Sequence, residues 1–133
     1  MAIQLSVAVR DAQNDALEST IGTSPSLEVW TGSPPATTAT ADSGTKIAEG
    51  TLPSDWLTAS SSGTKAKNGT WTLTGLTAAS TGTAGGHFRI RNVGTVHMQG
   101  TFGVGADMVP DNNSIADGQT VTVNTFNYTR NNA

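Results

Sequence analysis

The chain has no cysteine and few charged side chains. Without cysteine it can form neither a disulfide nor a thiolate metal site. Charged residues make up 13% of the 133 residues and the net charge is −3. That charged share is about half the usual one. Because no positive excess is available to hold DNA or RNA, nucleic acid is not an expected partner.

Long apolar runs are missing as well. No segment approaches the roughly 18 consecutive apolar residues that indicate a membrane span. The first residues also lack the charged segment and apolar stretch of a secretory signal. We therefore expect no membrane partner, and a chain made in a cytoplasm.

Threonine and short alternating segments are what the chain has in abundance. The clearest segment is 120–128, where polar and apolar residues alternate with the period of a half-buried strand. The parity slips after Val123, so that Phe126 falls on the other face. A β-bulge there would return Phe126 to the core side. The alternative is a strand that crosses between two sheets.

Many short strands separated by turns, with no helix between them, indicate the fold class. The sequence predicts an all-β, antiparallel, jelly-roll-like β-sandwich with a short N-terminal α-helix. We divide the chain into an N-terminal helical arm, 1–22, and a β-sandwich domain, 23–133.

The predicted helix begins after Ser6, whose hydroxyl can cap it, and ends at Gly22. Acidic residues are expected on the face turned away from the domain. One interpretation is an amphipathic helix lying on its own domain, and the other is an arm that docks on a neighbouring subunit. The apolar face that repeats near the helical period consists of Val9, Ala12, Ala16, Leu17 and Ile21.

A hairpin is predicted from segments 86–91 and 95–99, joined by the three-residue turn 92–94. Alternation places Phe88, Ile90, Val96 and Met98 on the buried face. We predict that the opposite, exposed face forms a positive patch that could grip a carboxylate-rich partner surface. Its members are His87, Arg89, Arg91, His97 and Gln99.

Catalytic patterns are absent from the sequence. Only His87 and His97 could act as a general base, and neither lies in a recognisable nucleophile motif. The two histidines alone are too few ligands for a zinc site. We therefore expect a protein that is not an enzyme and that carries no cofactor.

The three tryptophans allow comparison with sugar-binding modules, which line one face with exposed aromatic rings. Trp56 and Trp71 are predicted to pack in the core. Trp30 alternates away from Leu27 and Val29, so it is the one candidate for an exposed or interface aromatic. A carbohydrate-binding module for host attachment is therefore an alternative function.

The sequence resembles a family of small structural proteins encoded by tailed bacteriophages. Related phage chains often carry a cysteine where this one has Val96. The segments that carry the resemblance are 16–22, 27–35, 52–57, 67–71, 84–90, 97–101, 106–108 and 118–123.

The resemblance implies a virion component. We expect a capsid decoration or cement protein that binds the phage major capsid protein. An accessory tail, neck or fibre protein is the alternative role. A small homo-oligomer, trimer or dimer, is expected, with Met1 and the polar segment 129–133 packed against neighbours.

Overall fold

The computed structural model describes residues 3–130. Met1 and residues 131–133, for which packing against neighbours is expected, lie outside the described residues. The elements in chain order are α1 (Val7–Ile21), β1 (Ser26–Trp30), β2 (Lys46–Thr51), β3 (Thr64–Ala66), β4 (Thr72–Gly75), a 3₁₀ turn (Thr77–Ala79), β5 (Thr83–Ala84), β6 (His87–Asn92), β7 (Thr95–Thr101), β8 (Met108–Pro110), β9 (Ser114–Ile115) and β10 (Thr120–Thr129).

Most strands belong to one curled antiparallel sheet, which forms a half-barrel with the order β3-β10-β4-β2-β1-β6-β7. Strand β8 pairs with β10, and β5 with β9 forms a separate two-stranded sheet. The predicted all-β, sandwich-like class with a short N-terminal helix is confirmed. Helix α1 contacts the β3 side through Lys65 and the β6 end through Asn92.

Aromatic rings occupy the centre of the core. Trp71 is fully buried, with its ring centroid 5.9 Å from that of Trp56 and 5.3 Å from that of Phe126. Phe88 meets Phe126 edge to face at 5.7 Å. The predicted core packing of Trp56 and Trp71 is therefore confirmed.

Strand β10 contains the predicted bulge. In its pairing with β8, Val123 lies opposite Pro110 and Thr125 lies opposite Val109, so Asn124 is the extra residue. The bulge returns Phe126 to the core side, where it is 4% exposed.

The predicted hairpin is confirmed as β6 and β7, but its turn has two residues and not three. Val93 and Gly94 both have positive φ, 50° and 80°. A turn of this kind matches the strand twist and favours Asn-Gly. A β-branched residue in this region is strained by about 1–2 kcal/mol, so Val93 is an outlier.

The helix has the predicted ends. Ser6 Oγ accepts a hydrogen bond from the Val9 N–H at 3.3 Å, and Gly22 ends the helix with φ of 98°. Its predicted orientation is wrong. Val9, Ala12 and Ala16 are exposed, although Ile21 is buried in the core as expected.

The acidic side of the helix faces the β-domain instead. Asp11 accepts from the Gly63 N–H at 2.8 Å, Asp15 from the Ser60 N–H at 2.9 Å and Glu18 from the Leu57 N–H at 3.0 Å. These backbone donors belong to segment 57–63, which lies mostly outside the main sheet. Backbone N–H groups that have no partner in a strand need another hydrogen-bond acceptor, and the helix carboxylates provide one for each of them.

Candidate functional site

The polar side of the β6–β7 hairpin was the candidate partner surface. The chain's own loop 31–44 covers it, and we call this region the covered face: His87, Arg89, Arg91 and Gln99 beneath loop 31–44. His87 is fully buried and Arg89 is 1% exposed, so the predicted exposure of these two residues is wrong. Arg91 and Gln99 are half-buried.

Arg89 holds the loop through nearly its whole guanidinium. Its Nη2 donates to the backbone carbonyls of Thr37, Thr38 and Thr40 at 3.3, 3.1 and 3.0 Å. Its Nη1 donates to the Asp42 carboxylate in a short ion pair. The Nε donates to the Gln99 amide oxygen at 3.2 Å. Because a guanidinium is a rigid fork of five donors, one side chain can organise a loop that has no regular structure.

Neighbouring side chains add further contacts to the loop. Gln99 Nε2 donates to the Pro35 carbonyl at 2.6 Å, and His87 Nδ1 donates to the Gly32 carbonyl at 2.9 Å. Arg91 Nη2 donates to both Asp42 carboxylate oxygens at 2.8 and 3.0 Å. The carboxylate that we expected from a partner is thus supplied by Asp42 of the same chain.

The charges of the covered face set the protonation of Asp42. Partial burial acts to raise the pKa of its carboxyl, but hydrogen bonds from Arg89 and Arg91 outweigh burial and hold the pKa below the ordinary 3.8. Asp15 on the helix has a lowered pKa too, chiefly because of its hydrogen bond from Lys65. Both carboxylates therefore favour the folded state most when they are ionised.

We expect the chain to lose stability in acid for this reason. A carboxyl whose pKa is lowered by folding stabilises the fold above its unfolded pKa, near 3.8. That stability is lost as the pH falls through the lower folded pKa. Urea unfolding should show Asp42→Asn to be destabilising at neutral pH, with a smaller difference from wild type at about pH 3. Asp117→Asn, at an exposed carboxylate that forms no ion pair within residues 3–130, is the control. An unchanged difference between wild type and Asp42→Asn at both pH values would contradict this linkage.

His97 does not lie with the other basic residues. Ile90 pairs with Met98 and Arg91 pairs with Val96, so His97 is the extra residue of a bulge. It is exposed and lines a groove of about 370 Å³ beside α1. We call this the helix groove, and its lining residues are Gln13, Ala16, Leu17, Thr20, Ile21 and His97.

A second group of charged contacts, which we did not predict, attaches helix α1 to strand β3. Lys65 of β3 is 2% exposed, and its Nζ lies 2.8 Å from an Asp15 carboxylate oxygen and 3.3 Å from one of Glu18. Asn14 is also buried and donates to the Gly63 carbonyl at 2.7 Å. One signal in the sequence could have revealed this contact. The polar helix residues recur three and four positions apart, which is the spacing of residues on one helix face that docks on a domain.

Trp30 is half-buried and not freely exposed. Its ring stacks with that of His87 at a centroid distance of 6.5 Å, and Lys46 Nζ lies 6.0 Å from its centroid. Lys46 is itself paired with Glu28 at 3.1 Å and Glu49 at 2.8 Å. One face of the indole is therefore already occupied by the protein.

Two aliphatic side chains project from loop tips. Val93 in the β6–β7 turn is 97% exposed, and Val104, between Gly103 and Gly105, is 92% exposed. Ile3, at 83%, and Val7 and Val9 of α1, at 47% and 44%, are also exposed, so the described surface offers apolar contact points both at these turns and near the start of the helix.

The described residues form neither a cluster of metal ligands nor a membrane-spanning helix. Across residues 3–130, no three His, Asp or Glu side chains come together in a way that could hold a metal ion. In that same part of the chain no helix is long and apolar enough to cross a membrane. Searches of family models, curated proteins and solved structures yielded no match to the chain.

Proposed function

We propose that the chain is a structural protein of a tailed-phage virion, namely a decoration protein on the outside of the capsid. The sequence resemblance suggests the virion. The observation that carries the proposal from the structure is internal charge neutralisation. Of seven Lys and Arg residues, four are held in ion pairs within the molecule: Lys46, Lys65, Arg89 and Arg91.

With these pairs formed, much of the described surface consists of hydroxyls and small side chains, together with exposed apolar residues such as Val93 and Val104 and unpaired carboxylates such as Asp117. Such a surface can bind a shell through uncharged hydrogen bonds and small apolar contacts. Each contact is weak, but many copies on a symmetric shell, joined as small oligomers, would add avidity. This is the physical requirement for a protein that reinforces a capsid without catalysing anything.

We expect attachment to capsids to depend little on salt. Purified protein added to particles that lack it should bind with an affinity that changes less than about threefold between roughly 0.05 and 0.5 M NaCl, because uncharged contacts are not screened. Cosedimentation measures the binding. The double variant Lys67→Ala and Arg130→Ala, which removes two cations outside the ion pairs, should bind equally well. Failure to bind particles at any salt concentration, or loss of binding in the double variant, would argue against the proposal.

The two alternative functions predict different experimental results. An accessory tail, neck or fibre protein would bind tails and not empty capsids in the same experiment. A carbohydrate-binding module would need an open aromatic platform. Trp56 and Trp71 lie in the core, and the half-buried Trp30 is the single aromatic left for that role among the tryptophans. We therefore place capsid decoration first.

A further inference from the structure

The tip of the β6–β7 hairpin is unfavourable for an isolated chain. Val93 has φ of 50°, a region where β-branched residues are strained, and its side chain is 97% exposed. Asparagine at this position, followed by Gly94, would be the favoured pair for such a turn. An apolar side chain that is both strained and exposed contributes little to the fold, which points to a contact outside the protomer.

An apolar groove lies beside this tip. Asn92, the residue before Val93, donates to the Ile21 carbonyl at 2.7 Å, which places the hairpin end against the helix C-terminus. The helix groove runs from there along α1, with Leu17 and Ile21 packed against the core at its base. Its volume of about 370 Å³ is large enough to receive one aliphatic side chain and part of a turn.

The charge distribution permits a second copy of this chain as the occupant, and the position of the tip beside the groove on one protomer favours it. Copies with a net charge of −3 repel one another wherever acidic surfaces meet. On α1, however, Asp11, Asp15 and Glu18 are turned to the β-domain. The helix groove contains no Asp, Glu, Lys or Arg, so two copies can meet there without opposed like charges and without stripping water from a fixed charge.

We propose that two copies form a two-fold dimer in which Val93 of each protomer enters the helix groove of the other. Val93 and the helix groove lie side by side on one protomer. A two-fold axis next to them therefore brings Val93 of each protomer to the helix groove of the other at the same time. Each apolar contact is therefore made twice. The inference rests on the self-association part of the proposed function and does not depend on the virion role.

The test is a comparison of dimer formation in single variants by sedimentation velocity. Wild type should show a concentration-dependent monomer–dimer equilibrium in the micromolar range. Val93→Asn should weaken the dimer at least about tenfold, as the loss of a buried aliphatic contact made twice implies. At a concentration where both proteins are monomeric, Val93→Asn should also raise the melting temperature by about 3–6 °C, because the turn strain is relieved.

Two further variants locate the contact. Ala16→Glu places a charge in the exposed groove and should abolish the dimer without unfolding the chain, as circular dichroism would show. Val104→Asn, at the other projecting valine, should leave the dimer intact. A wild type that is monomeric at all accessible concentrations, an intact dimer in Val93→Asn, or dissociation by Val104→Asn would each overturn the proposal. Capsid binding by a strictly monomeric protein would separate this failure from that of the proposed function.

Discussion

Replacing Arg89 by alanine is expected to destabilise the protein by roughly 2–4 kcal/mol, because a buried guanidinium is removed from its hydrogen-bond acceptors and from an ion pair whose other partner, Asp42, is 34% exposed. The guanidinium is 1% exposed and donates to Asp42, to three loop carbonyls and to Gln99. Its loss leaves those acceptors unsatisfied and releases loop 31–44. Urea unfolding should show a lower midpoint with an unchanged slope, and limited proteolysis should cut within the loop.

Matched variants separate geometry from charge. Arg89→Lys keeps the positive charge but has no planar fork, so it should recover only a small part of the lost stability. Arg91→Ala removes a side chain that is 25% exposed and that also pairs with Glu28. The Arg89 contacts stay in place and Glu28 keeps its ion pair with Lys46, so the effect should be smaller than that of Arg89→Ala. A stability change below about 1 kcal/mol for Arg89→Ala would mean that the loop does not cover this face.

The second large effect is expected at Trp71. Truncation to alanine should cost about 3–5 kcal/mol, because it opens a large cavity in a close-packed core. Trp71 is fully buried between Trp56 and Phe126, and its Nε1 donates to the Asn68 carbonyl at 3.1 Å. Equilibrium unfolding, monitored by circular dichroism, measures the change in the free energy of unfolding. Circular dichroism is used because Trp71→Ala removes a fluorophore.

Trp30→Ala is the control for Trp71→Ala. The Trp30 ring is half-buried and stacks on His87, so its truncation should cost less than that of Trp71, roughly 2 kcal/mol from the area that it buries. The comparison also bears on glycan binding, since a sugar platform at Trp30 would lose binding in a variant that still folds. Equal destabilisation by both substitutions would contradict the core assignment of Trp71.

Local elements of this fold were predictable because their signals are local. Ser6 and Gly22 determine the ends of the helix through backbone hydrogen bonding and φ. Alternation located β10, and the parity slip near Asn124 located its bulge, since side chains must return to the buried face. Each inference needed only residues within a few positions of one another.

The candidate site was not predictable in the same way. Alternation correctly placed Arg89 on the side of the strand opposite Phe88. We then assumed that this side, because it faces away from the core, is exposed to solvent. The structure covers it with loop 31–44, whose carbonyls meet a guanidinium 49–52 residues away in sequence. The wrong orientation of helix α1 has the same cause, namely a partner that is distant in sequence. Hydropathy alone does not show that the carboxylate of Asp15 pairs with the buried Lys65.

The position of β10 in the sheet has a consequence for how the protein is made. This strand comes after all the others along the chain, yet it lies between β3 and β4 and also pairs with β8. Until segment 120–129 has left the ribosome, β3 and β8 lack a strand partner and β4 is paired only with β2. Because such distant pairings form slowly, the nascent chain should keep apolar edges exposed until segment 120–129 has been made. Completion of the sheet is therefore expected to wait for segment 120–129, and ribosomes stalled before Thr120 should carry chains that proteases digest readily.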